Sequence, residues 1–253
     1  MASEVTYRYA ARRGIEPVLV LSRLNLGLFE REFFCLLGPS GCGKTTVLNL
    51  MAGFLQPTAG KLTLAGRPIS GPGVDRTVVF QGDDALFNWL RTIDNVAFGL
   101  RMRGVPQARR HAIAREYLHL VHLDGQENKY PVELSGGMKQ RVQIARVLAT
   151  DPKILLMDEP FGALDAQTRA RLQDELVEIW RKTAKTIVFI THDIAEAILL
   201  ADRIGVMTSG PGSKVGAIVE VSLPRPRRRG SPGFGEMWER INTMIENEQA
   251  DVS

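Results

Sequence analysis

Gly38-Pro39-Ser40-Gly41-Cys42-Gly43-Lys44-Thr45-Thr46 fits the phosphate-loop pattern G-x-x-x-x-G-K-[ST], and its neighbours supply the context that the pattern requires. The apolar run Phe33 to Leu37 reads as a buried strand entering the loop. Thr46 to Phe54 reads as a helix leaving it, with Val47, Leu48 and Met51 on one side. Glycines let the backbone curl so that successive N–H groups point into one concavity without Cβ interference. A helix N-terminus adds unpaired N–H donors and about half a positive charge of dipole. Lys44 can span β- and γ-phosphates, and the Thr45 hydroxyl can ligate Mg²⁺. The stretch Gly38 to Thr46 therefore predicts a nucleoside triphosphate site. Cys42 lies among these N–H donors, which predicts a lowered thiol pKa and a reactive sulfur that MgATP would protect.

Outward from the loop, composition narrows the class. The chain has 253 residues, and its 44% hydrophobic content can fill a core. Thirty-two Lys and Arg against 28 Asp and Glu leave a net charge of +4, too little to argue for nucleic acid. The two cysteines, Cys35 in the presumed strand and Cys42 in the loop, suggest no disulfide framework and fit a reducing cytosol. No apolar run approaches the roughly 20 residues that span a bilayer, and the N-terminus has no apolar signal segment. The expectation is a soluble cytosolic chain of α/β class.

On the N-terminal side, Glu4 to Tyr9 and Val18 to Leu28 read as strands around a polar turn, Ala11 to Pro17. Tyr9 is either an adenine-stacking ring or a strand aromatic packed in the core. Lys61 to Leu64 and Thr77 to Phe80 are further short strands, the second ending at Gln81. Arg91 to Arg103 and Pro106 to Leu123 have helical patterns, with Ile113, Tyr117, Leu120 and Val121 as the apolar face of the second. His111, His119 and His122 fall here without a convincing third metal ligand, so no metal is expected from them.

Beyond these helices, Ser135-Gly136-Gly137 opens another helix, a second place where N–H groups and a dipole can face an anion. The apolar strand Lys153 to Met157 ends in Asp158-Glu159. A carboxylate there can hold Mg²⁺, and its neighbour can orient or deprotonate a water aimed at a γ-phosphate. The bland alternative is two solvated acids. Leu164, Thr168, Leu172, Leu176 and Ile179 predict an amphipathic helix. Thr186 to Ile190 is a buried strand followed by Thr191-His192-Asp193, placing His192 where ligands gather in open α/β sheets, as a γ-phosphate contact. Arg203 to Met207 and Val215 to Val221 flank the turn Ser209 to Gly212. The tail carries Arg225, Arg227, Arg228 and Arg229 among prolines, read as a solvated surface or an anionic-membrane contact, then a helix from about Glu236 to Glu246.

Taken in order, the phosphate loop, Gln81, Leu134-Ser135-Gly136-Gly137 with Gln140 and Arg141, Asp158-Glu159, Ala163-Leu164-Asp165 and His192 resemble the ATP-binding-cassette (ABC) transport ATPases. Gly71 to Arg76, Asp94 to Leu100, Met157 to Ala166 and Ser209 to Gly212 are similar to the bacterial nitrate/sulfonate/taurine importer branch. Two departures stand out. Arg31-Glu32 replaces the usual Gly-Glu, expected to be harmless on a turn, and Asn88-Trp89 replaces the usual Pro-Trp.

The resemblance implies a phosphate-loop nucleotide-binding core (1–81 and 136–225) with an N-terminal antiparallel β subdomain, an inserted helical subdomain (82–135) and a C-terminal tail (226–253). It implies ATP and Mg²⁺, the metal held by Thr45, Gln81 and Asp158, with Glu159, His192 and Gln81 as catalytic groups. Nucleotide contacts then comprise Tyr9, the loop residues Gly38 to Thr46, Ser135, Gly136, Gly137 and Asp165. It also implies a head-to-tail homodimer with two ATPs between the loop of one copy and Ser135–Gly137 of the other. Two integral-membrane permease subunits, gripped through Phe87 and Trp89 unless these are core aromatics, and an external solute-binding protein would complete an importer at the cytoplasmic face of the membrane. A non-transport ATPase of the same family, acting on nucleic acid or ribosomes, is the alternative. A small-molecule kinase would have no need of Ser135–Gly137.

Overall fold

The computed structural model describes residues 1–10, 16–80, 82 and 85–250, the last two as backbone. Gln81 lies outside the described residues, as does most of the expected turn at 11–17. The chain forms two compact units, Met1–Gly73 with Thr186–Ser253, and Val74–Lys185.

The first unit opens with strands β1 (Ala2–Tyr9) and β2 (Val18–Leu26), followed by β3 (Phe33–Leu37), helix α1 (Lys44–Ala52), β4 (Ala59–Leu64) and the short β5 (Arg67–Pro68). β2, β1, β4 and β5 make an antiparallel sheet in that order. Its inward side chains Val5, Leu21, Leu24 and Leu62 share an apolar space with Val47, Leu50 and Met51 of α1. The alternation of β1 and β2 is interrupted by register shifts between Ala2 and Arg8, which is why their apolar residues do not keep a strict period of two. Arg31 sits on a turn, as expected, but at φ 64°. That left-handed conformation costs an L-residue about 1–2 kcal/mol, which is the physical reason for the usual glycine there.

The second unit holds β6 (Arg76–Val79), α2 (Thr92–Met102), α3 (Gln107–Leu120), a 3-10 turn (Pro131–Glu133), α4 (Gly136–Leu148), β7 (Ile154–Asp158) and α5 (Ala166–Thr183). β6 and β7 pair in parallel, with Val79 opposite Met157. The buried stripe of α3 with the turn after it is Ala114, Leu118 and Val121; of the expected face Val121 is buried, while Ile113, Tyr117 and Leu120 lie one position off the stripe and are half-buried. Ala114 lets neighbouring helices approach closely, and a face centred on a small residue is easily misread from large side chains alone. In α5 the expected Leu172, Leu176 and Ile179 are buried.

The chain then returns to the first unit as β8 (Thr186–Thr191), α6 (Ile194–Leu200), β9 (Arg203–Met207), β10 (Val215–Glu220) and α7 (Phe234–Ala250). β3 lies between β8 and β9, parallel to both, with Leu37 level with Thr191 and Val206. All five residues of β3 are buried, as a strand covered on both faces requires. α7 packs on α6 and β9 through Phe234 and Ile241, and is longer than the expected Glu236–Glu246.

The basic tail is solvated only in part: Arg228 and Arg229 are exposed, whereas Arg225 and Arg227 turn into the protein. Arg227 is buried and donates to the carbonyls of Leu223, Ile198, Ala201 and Val221. Arg225 donates to Leu199 O, Leu200 O and the Asp202 carboxylate. Two of the four arginines thus satisfy the carbonyls that end α6, the groups every helix C-terminus leaves unpaired. The architecture is the expected α/β one, a parallel-stranded core beside an antiparallel N-terminal sheet, with helices inserted between β6 and β7. Among the described residues no helix is long and apolar enough to cross a membrane.

Candidate nucleotide-binding site

In the first unit the level register of β3 and β8 brings Gly38 and His192 out of the same sheet edge, one residue beyond Leu37 and Thr191. That edge is where open α/β sheets hold ligands. The loop turns through Gly41 at φ 83° and Gly43 at φ 92°, and Gly43 is the N-cap of α1. No side chain caps α1 and no acidic residue stands in its first turn, so the dipole at its N-terminus is not offset by the helix's own side chains. A Cβ at Gly38 would lie 2.9 Å from both Cys42 Sγ and Met207 Cβ. Pro39 and Ser40 complete the curl.

Lys44 is only 6% exposed, and its ammonium donates to Gly38 O at 2.7 Å and Pro39 O at 2.8 Å. These are neutral acceptors, so a buried positive charge stands beside a ring of N–H donors. A phosphate is the chemical complement of both, and a nucleoside triphosphate fits the residues present. Thr45 follows Lys44 in the first turn of α1. The hydroxyl of Thr46, which is buried, lies 3.5 Å from that of Tyr9. Tyr9 itself is 46% exposed, edge-on to Tyr7 at 5.0 Å, so its ring is beside the loop's helix and outside the core. His192 is exposed.

Cys42 corrects an expectation. It is 3% exposed, and burial pushes its thiol up, outweighing Lys44 and the backbone donors that pull it down. The sulfur is a packing group beside Gly38 and not a ready nucleophile. Cys35, fully buried in β3, is pushed well above the usual thiol value for the same reason.

The second unit gathers the remaining residues. Asp158 ends β7 and Glu159 follows at φ 41°, a left-handed conformation that strains an L-residue. Such strain concentrates at functional positions. Gly162 N–H then donates to Glu159 O at 3.1 Å, turning the chain back toward α5. Asp165 is the exposed N-cap of α5, accepting from the N–H groups of Gln167 and Thr168, and these bonds, Thr168 first, hold its carboxyl below the usual range. Ser135 caps α4, accepting from Met138 N–H at 3.4 Å, and is exposed with Gly136 and Gly137 behind it. A Cβ at Gly137 would meet Thr168 Cγ2 at 2.8 Å, so close approach of α4 to α5 explains that glycine without any ligand.

The two aromatics of the helical insertion touch, their ring centres 5.3 Å apart, but differ in exposure. Phe87 is half-buried against Phe98 at 4.4 Å, with the Arg146 guanidinium 5.2 Å from its ring centre. Trp89 is 73% exposed. Asn95, fully buried, accepts Phe87 N–H and donates to the carbonyls of Phe87, Leu90 and Arg91. That side chain fixes the loop that presents Trp89, a role sequence pattern alone left unread. His111 and His119 pair with Asp94 and Asp124.

Comparison with known proteins agrees with this geometry. The family model described as ABC transporter matches residues 21–162. The taurine import ATP-binding protein TauB of Pseudomonas putida is 54% identical over 78% of this chain and 74% of its own. The bicarbonate transport ATP-binding protein CmpC of Synechococcus elongatus is 52% identical over 85% of this chain, which spans only 33% of that longer protein. Among solved structures, the dimeric post-hydrolysis cassette MJ0796 bound to ADP and Pi superposes with a TM-score of 0.74 and 30% identity, over 88% of this chain and 99% of that one. With the family model matching more than half of its length and TauB similar over about three quarters of both chains, the chain belongs to the ABC transporter family and is one of its ATPase domains.

Proposed function

We propose that this chain is the ATP-hydrolysing subunit of an importer for a small anion, taurine or another alkylsulfonate first and nitrate-like ions next, and that it works as a head-to-tail homodimer. The observation that carries the dimer is the N-terminus of α4. Ser135, Gly136 and Gly137 offer a helix end with no acid in its first turn, Ser135 exposed and the two glycines half-buried. ATP lies on the loop of one copy, Tyr9 stacks on its adenine, and the partner's α4 closes on the γ-phosphate. ATP then binds the closed pair better than the open one, and that difference in affinity shifts the population. The similarity to proteins named for taurine import and bicarbonate transport supports the anion class.

The residues divide the chemistry. Lys44 and the loop N–H groups neutralise phosphate charge. Mg²⁺ bound with the nucleotide adds to that neutralisation, and Thr45, Gln81 and Asp158 would hold it. Glu159 takes a proton from the attacking water, His192 meets the γ-phosphate, and Asp165 lines the shared interface. Loss of the bridging phosphate leaves ADP and an interface that reopens. Exposed Trp89 engages a cytoplasmic helix of each of two permease subunits, which receive solute from an external binding protein and hold the pair at the inner face of the membrane.

Mixing two inactive variants tests the shared site. Ser135→Arg and Lys44→Ala proteins are each expected to stay monomeric with ATP, because each homodimer lacks a complete site. A one-to-one mixture restores one complete site and is expected to dimerise in light scattering. Absence of an ATP-dependent dimer from the mixture would overturn the arrangement. The solute is tested by melting the co-encoded binding protein with taurine, alkylsulfonates and nitrate. Stabilisation by one of them is expected, and a melting temperature unmoved by all of them would overturn the anion class.

A further inference from the structure

Between the end of β8 and the start of α6 the side chains form a closed hydrogen-bonded ring with His192 inside its span. The Thr191 hydroxyl, 2% exposed, donates to Glu196 Oε2 at 2.5 Å. Thr191 Oγ1 in turn accepts Asp193 N–H at 3.0 Å, and Asp193 Oδ1 accepts Glu196 N–H at 3.1 Å. We propose that Thr191 and Glu196 are positioning residues that hold His192 at the carboxyl edge of β8 in the orientation its contact with the nucleotide needs. This rests on the reading of His192 given above.

Direction and economy both favour that role. A hydroxyl has one proton, and giving it to Glu196 leaves only lone pairs toward Asp193 N–H, so the ring has one sense. The O–H···O distance matches the short bond of about 2.5–2.7 Å expected when a carboxylate accepts. Helix α6 is already capped by Asp193 on Glu196 N–H, which satisfies its first turn without the threonine. The Thr191–Glu196 bond adds nothing to that cap. What it does is tie the last strand residue to the first helical turn, leaving no slack in the two residues between, His192 and Asp193. A 6% exposed glutamate is costly to bury, and an apolar residue would pack there more cheaply if packing were the only need. Misplacing a contacting group by about 1 Å can cost on the order of 10²-fold in rate.

The test uses steady-state ATP turnover together with amide hydrogen exchange in the nucleotide-free protein. Glu196→Ala and Thr191→Val are expected to lower kcat by about 10- to 100-fold while the KM for ATP moves less than about threefold. Glu196→Gln keeps an oxygen acceptor and is expected to recover most of the loss. Combined with His192→Ala, Glu196→Ala is expected to cost less than about a further twofold, the non-additivity of groups acting as one. The Asp193 amide, whose acceptor is the Thr191 hydroxyl, is expected to exchange at least about tenfold faster in Thr191→Val. Thr191→Val, nearly isosteric and at home in a strand, carries the test if Glu196→Ala does not fold. If His192→Ala is impaired but Glu196→Ala and Thr191→Val turn over normally, the positioning role is wrong. It is also wrong if the Glu196→Ala loss is undiminished in the His192→Ala background. Normal turnover by His192→Ala itself would instead overturn the reading of His192, and this proposal with it.

Discussion

Glu159→Gln is expected to bind ATP as the parent does while its turnover falls by roughly 10²- to 10⁴-fold, the range for loss of a general base. The amide keeps the size and hydrogen-bonding reach of the carboxylate but cannot take a proton from water. The position argues for a chemical role. β7 is apolar until Asp158, and the chain then enters a left-handed turn at Glu159, a conformation any glycine would hold at lower cost. Retention of glutamate in that conformation fits a need for its side chain at the strand end. Phosphate release and binding of a fluorescent ATP analogue, measured side by side, make the check. Turnover near that of the parent would remove Glu159 from its role, and loss of binding would make it a structural residue.

Arg227→Met is expected to destabilise the protein by on the order of 3 kcal/mol, since bonds from a cation to buried carbonyls are among the stronger ones and their loss leaves acceptors unpaired. For a chain of this size that lowers the melting temperature by roughly 6–12 °C. Methionine retains most of the apolar stem, so the change isolates the guanidinium and avoids a large cavity. The carbonyls of Ile198 and Ala201 belong to the end of α6, and that of Val221 to the exit from β10. The arginine therefore binds tail, helix and sheet of the first unit together. A melting temperature within about 2 °C of the parent would show that water replaces the guanidinium at little cost.

Legibility from sequence followed the range of the interactions. The phosphate loop was readable because nine adjacent residues and the all-apolar β3 state the whole device locally. Ser135–Gly137 and Asp158-Glu159 were readable for the same reason, each standing at the junction of a regular element with a turn. Arg227 was not. It lies in a Pro- and Arg-rich run that looks solvated, and its acceptors at Ile198 and Ala201 are 29 and 26 residues away. Cys42 was misjudged because helix dipole and N–H donors can be counted from sequence, whereas the desolvation that dominates its titration depends on how tightly the loop packs. Asn95 looked like one polar residue of a helix until the structure showed it holding the Phe87–Arg91 loop. Phe87 and Trp89 are two residues apart and in ring contact, yet Phe87 is half-buried and Trp89 faces solvent.

The lysine of the phosphate loop has a consequence for the loop's own shape. Its ammonium rests on the carbonyls of Gly38 and Pro39, so one side chain at the head of α1 is tied back to the backbone that leads into it. The turn is cross-braced from within, and Lys44→Ala removes a structural tie along with a charge. Weakened binding in that variant therefore reports on the loop's geometry as well as on its electrostatics.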